Sequence, residues 1–126
     1  MTDYDFNNLN DKEFEVLAND LVSKKEEAVV DRYKPGKDGG VDGRFFTING
    51  EEVIIQSKHW IKSGISALIR HLKKNELPKV KKLNPSRYIL VISLPLSKDN
   101  KVKIKTAFEP YITSENDIVG QENLND

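Results

Sequence analysis

Residues 36–44 read GKDGGVDGR, 45–52 read FFTINGEE and 53–58 read VIIQSK. The glycine pairs at 35–36 (Pro-Gly) and 39–40 (Gly-Gly) mark a loop, and the apolar residues that follow predict a strand over 41–48. Asn49-Gly50 is a two-residue hairpin signal, so that strand is expected to pair antiparallel with 52–58. Along 53–58 the period-two alternation of a strand puts Ile54, Gln56 and Lys58 on one face and Val53, Ile55 and Ser57 on the other. Asp42, Gln56 and Lys58 are therefore expected to meet at one point on a small sheet.

Outward from this hairpin the chain alternates between helix and strand signals. Asn10 and Glu13 have capping-box spacing, and Phe14, Leu17, Ala18 and Leu21 form a helical stripe, so a first helix is predicted over 10–25. A short strand is predicted over 28–33. After His59-Trp60, the residues Ile65, Leu68, Ile69 and Leu72 are spaced for one helix face, with Pro78 expected to break that helix or restart it as far as Leu83. Residues 88–94 form an apolar run of buried-strand length, and 99–112 are predicted to be helical. The order α-β-β-β-α-β-α implies an α/β fold, a mixed sheet of about four strands flanked by helices. One domain is expected over 1–112, with 113–126 an acidic tail.

The chain has 126 residues, enough for one domain with a single core. It contains no cysteine and two histidines, which excludes disulfides and cysteine-bound zinc and fits a reducing cytoplasm. No apolar run reaches membrane-spanning length. A formal net charge of zero hides a marked asymmetry. Residues 57–87 carry nine bases against Glu76 alone, whereas residues 1–31 carry nine acids and three bases. A basic block alone is most often a solvated helix face; directly after Gln56-Ser57-Lys58 it reads as a face for a polyanion. Lys62, Arg70, Lys73 and Lys74 are the candidates for phosphate contacts, with His59 and Trp60 beside them at the strand exit. No base-reading motif is present.

A carboxylate, a second oxygen ligand and a lysine on one small sheet are the groups that metal-dependent phosphodiester cleavage requires. Asp42 is the expected metal ligand, with Gln56 as a carbonyl ligand or water positioner and the Ile55 backbone carbonyl as a further ligand. Lys58 would polarise the attacking water or neutralise developing charge. An all-oxygen set of this kind suits Mg²⁺, with Mn²⁺ able to substitute.

The pattern Asp42…Gln56-Ser57-Lys58 resembles the PD-(D/E)xK nuclease superfamily, specifically its Mrr-like restriction endonuclease branch, in which glutamine commonly stands at the second acidic position. Phe14-Glu15 matches the first-helix pair of that branch, which implies that Glu15 reaches the metal and joins Asp42, Gln56 and Lys58 as a catalytic residue. The resemblance covers about residues 9–94. GKDGGVD, QSKHW and the run 79–97 further resemble the N-terminal nuclease domain of STAND-type NTPases of antiphage defence. That resemblance implies a DNA endonuclease effector of low sequence specificity, activated by homo-oligomerisation, with the tail leading into an NTPase. A nuclease fold that only binds nucleic acid or a partner subunit is the alternative.

Overall fold

The computed structural model describes residues 9–32, 42–60 and 64–124. Helix α1 spans Asp11–Glu26, and its start is the predicted capping box: the Glu13 amide donates to the Asn10 side chain at 2.7 Å, and the Asn10 amide donates to Glu13 at 2.9 Å. Strands β1 (Asp31–Arg32), β2 (Gly43–Phe46) and β3 (Glu52–Lys58) follow. Helices α2 (Ile65–His71) and α3 (Leu77–Leu83) then lead to strand β4 (Arg87–Ile92) and helix α4 (Lys98–Ala107). With β5 (Ile118–Val119), the sheet order is β1-β2-β3-β4-β5, antiparallel up to β3 and parallel beyond it. The parallel step from β3 to β4 requires a crossover, which the α2–α3 helix supplies.

The alternation along β3 sorts two cores onto the two faces of the sheet. Val53 and Ile55 pack with Phe45, Ile89 and Val91 against Phe14, Ala18 and Val22 of α1. Ile54 packs with Tyr88, Leu90 and Ile92 against Leu68, Leu72, Val80, Ile104 of α4 and Phe108 at its C-cap. A sheet buried on both faces explains why the β4 sequence is apolar at nearly every position.

Two sequence expectations are corrected, the hairpin loop and the tail, and the Pro78 reading resolves to its second alternative. The hairpin loop has three residues, 48–50, not two. The Thr47 amide donates to the Glu51 carbonyl and Gly50 sits at φ 82, the left-handed position that closes a three-residue loop. This shifts the register by one: Gly43 faces Ile55, so Asp42 comes level with Gln56. A one-residue slip in either direction would move Asp42 away from it.

Pro78, expected to break the second helix or restart it as far as Leu83, stands in the first turn of α3, which ends at Leu83, after a π turn over Leu72–Glu76. The Leu77 amide already reaches back five residues to the Leu72 carbonyl, so the helix is widened just before the residue that has no amide to donate. The widening also aims side chains. Leu68, Leu72, Glu76 and Val80 are all buried and recur every four residues. On a straight α-helix each such step overshoots one turn by about 40°. The wider π turn takes back rotation and keeps all four facing the sheet.

The segment after Ile112, expected to leave the domain as an acidic tail, adds a fifth strand. Ile118–Val119 forms β5 alongside β4, followed by the short helix α5 (Gln121–Leu124). Its acidity misleads because Asp117 is buried and paired. The Arg87 guanidinium donates to Asp117 at 2.9 and 2.6 Å and to Glu26 of α1 at 2.6 and 3.2 Å, tying three elements together. Hydrogen bonding from Arg87 holds the Glu26 carboxyl below its usual value of 4.5. A lowered folded-state value means that this stabilisation is complete above the usual value and is lost as pH falls through the lowered one. In urea melts, the stability difference between wild type and Glu26→Gln should thus be flat near neutrality and close only below 4.5.

Candidate active site

The site forms where the end of β3 meets the start of β2 and the first turns of α1. Asp11, Glu15, Asp42, Ser57, Lys58, His59 and Trp60 line one cleft of about 270 Å³. Asp42 is held through a single oxygen. Its Oδ2 accepts from the Ser57 amide at 2.6 Å, the Ser57 hydroxyl at 2.7 Å and the Gln56 amide nitrogen at 3.2 Å. The other oxygen has no hydrogen-bond partner among the described residues. Burial pushes the Asp42 carboxyl above its usual range, against the opposing pull of the Ser57 donors and the nearby Lys58. A desolvated carboxylate with one uncommitted oxygen is a fit site for a cation.

The backbone behind Asp42 is fixed from α1. Asn19 donates to the Asp42 carbonyl at 3.4 Å. Gly43 allows this approach, since a Cβ there would come within 2.7 Å of the Asn19 side chain. Asn19 lies one helical turn after Glu15, and both are buried on the face that α1 turns toward the sheet. Glu15 therefore stands at the cleft as expected, while Asn19 was missed. Its polarity on a buried helix face was the available signal.

Lys58 reaches the cleft with its side chain 18% exposed, and its ammonium donates to Glu76 of the π turn, whose side chain is 4% exposed. The single acid of the basic block is thus the lysine's partner. His71 stands 3.5 Å and Lys79 3.8 Å from the same carboxylate.

Other expected residues fall differently. Gln56 turns its amide nitrogen toward Asp42 and, at 3.4 Å, toward the Ser57 carbonyl, and donates to both. The Ile55 carbonyl accepts the Asp42 amide at 3.1 Å within the sheet ladder. The Ser57 carbonyl takes the same Gln56 amide nitrogen that donates to Asp42. His59 is not a free phosphate contact: its side chain is 5% exposed, stacks on Phe14 and contacts Asp11 at 2.9 Å. Trp60 is half-buried, packs on His71 and is pinned by Ser93 through its backbone. Arg70, Lys73 and Lys74 are solvent-exposed on the crossover helix, and Lys62 lies outside the described residues.

Among the described residues no three acidic or histidine side chains form a ready-made metal cluster. The donors that fit a hard divalent cation are the carboxylates of Asp42 and Glu15 and the Ser57 carbonyl, all oxygens.

The model of the restriction endonuclease family Mrr_cat matches residues 6–86, more than half of the chain. The chain belongs to this family, which supports a nuclease function. It is also 34% identical over 122 residues to a protein of Sinorhizobium fredii (strain NBRC 101917 / NGR234) described as uncharacterized protein y4cD. The match takes in 97% of this chain but 19% of that relative. No solved structure matches the chain. Among the described residues no helix is long and apolar enough to cross a membrane.

Proposed function

We propose that this chain is a divalent-metal-dependent DNA endonuclease with little sequence preference. The observation that carries the reading is the convergence of Asp42, Glu15 and Lys58 on one cleft, with one Asp42 oxygen fixed by Ser57 and the other without a hydrogen-bond partner among the described residues. Asp42, Glu15 and the Ser57 carbonyl would hold Mg²⁺ or Mn²⁺. When bound, such an ion supplies charge neutralisation and an activated water. Gln56 and Ser57 orient Asp42. Lys58 presents a positive charge to a phosphate oxygen in the cleft. Arg70, Lys73 and Lys74 offer exposed cations for backbone contacts, which give salt-dependent affinity without sequence readout.

Because the match occupies about a fifth of the y4cD relative, we read this domain as one module of a longer protein. The resemblance to nuclease effectors of STAND-type NTPases points to antiphage defence and to activation by homo-oligomerisation. A cutter of low specificity needs such gating to spare the host genome. The second reading, a nuclease fold that binds without cutting, draws on Gln56, which places no second carboxylate beside Asp42.

Incubation with supercoiled plasmid in Mg²⁺, Mn²⁺ or EDTA, alone and fused to a multimerising scaffold, separates the two. The endonuclease reading expects nicking or linearisation only with metal, and faster in the fusion. Salt-sensitive DNA binding with no cleavage in any form would favour the second.

A further inference from the structure

We propose that Glu76 is a positioning residue for Lys58. It would anchor the ammonium from behind the cleft so that the charge is held at the phosphate site. This deepens the endonuclease reading and rests on it for the role given to Lys58.

The geometry converges on one buried carboxylate. Glu76 Oε2 takes the Lys58 ammonium and lies 3.5 Å from His71 Nε2, while Oε1 faces Lys79 at 3.8 Å. The Asn75 amide lies 3.0 Å from His71 Nδ1. His71 Nε2 also lies 3.4 Å from the Lys58 ammonium, so the ring stands beside both members of the pair. Trp60, itself at the cleft, packs on the His71 ring.

Lysine is a point charge on a flexible stem, and an unanchored one samples many positions. An ammonium has three donors, so one bond to Glu76 leaves others for the cleft that Lys58 also lines. The π turn makes the anchor possible, because it turns Glu76 toward the sheet in line with Leu72 and Val80. π turns of this kind recur at functional sites. A carboxylate serving only as a solvated surface charge would not be 3% exposed within an otherwise apolar stripe.

The test uses the whole chain and the near-isosteric variant Glu76→Gln. Its fold is checked by thermal melting, and the Lys58 side-chain ammonium is followed by ¹⁵N NMR, assigned by its absence in Lys58→Met. An anchored ammonium exchanges slowly enough to be seen. The signal should be present in wild type and lost in Glu76→Gln, and its persistence in the variant overturns the proposal. Single-turnover cleavage at saturating DNA should fall about 10- to 100-fold, as for supporting residues elsewhere, with DNA affinity nearly unchanged. An unchanged rate would make Glu76 purely structural, and a faster one would make it a restraint; either overturns the proposal. A wild type that shows the ammonium signal but never cuts would sink the endonuclease reading and still support the anchoring.

Discussion

Lys58→Met should destabilise the fold by about 3 kcal/mol, and adding Glu76→Gln should recover most of that loss. The reason is the asymmetry of buried ion pairs. Both side chains are largely out of water, Glu76 almost completely. Removing the ammonium leaves the carboxylate desolvated without its closest partner, whereas removing both charges leaves neither unpaired. His71 and Lys79 give Glu76 partial replacements, which keeps the expected cost at the low end for such pairs. Glu76→Gln alone should cost only about 1 kcal/mol, since Lys58 can extend into the cleft toward solvent. For a chain of this length 3 kcal/mol corresponds to a melting-temperature drop of roughly 10 °C. Urea denaturation of wild type, the two single variants and the double variant closes the cycle. A Lys58→Met protein within about 0.5 kcal/mol of wild type would contradict the pairing. An inactive Lys58→Met protein is therefore informative only at a matched folded fraction.

Asp42→Asn should move stability and activity in opposite directions. Burial disfavours the charged Asp42 carboxylate in the folded state, so the wild-type fold carries a penalty at neutral pH when no cation compensates it. An asparagine removes that charge, and its side-chain oxygen can still accept from the Ser57 amide and hydroxyl. Melting without divalent ions should therefore rise by a few degrees, whereas cleavage should fall about 10²–10³-fold or more through loss of transition-state charge stabilisation. Divalent ions should raise the melting temperature of wild type and leave Asp42→Asn unmoved, because only a binding-competent site is stabilised by its ligand. A variant that melts lower than wild type, or that cuts as fast, would remove Asp42 from its assigned role.

Much of the fold was legible because local signals agreed with one another. The capping box, the apolar stripe of α1 and the alternation of β3 each have a single structural solution, and the register of the hairpin brought Asp42 and Gln56 together. The departures have physical causes. Asn49-Gly50 suits both two- and three-residue loops, and only pairing with β3 decides between them. Pro78 reads as a break or a restart, and the π turn before it decides for the restart. The acidity of 113–124 concealed Asp117, whose partner Arg87 is 30 positions away in the chain. Glu76 illustrates the general difficulty. As one acid among nine bases it looked like surface composition, and only the three-dimensional crossover brings it to Lys58. The side chain of His59, read as exposed, is buried and stacks on Phe14 of α1.

The most direct test of the central claim, metal-dependent phosphodiester cleavage at the Asp42–Lys58 cleft, is the loss of supercoiled plasmid with three proteins. These are wild type, Asp42→Asn and the double variant Lys58→Met/Glu76→Gln, each fused to the same multimerising scaffold and each confirmed folded. Wild type should relax or linearise the plasmid in Mg²⁺ and leave it intact in EDTA, while both variants leave it supercoiled in either. Cleavage by wild type in EDTA, or cleavage at the wild-type rate by either variant, would contradict the claim.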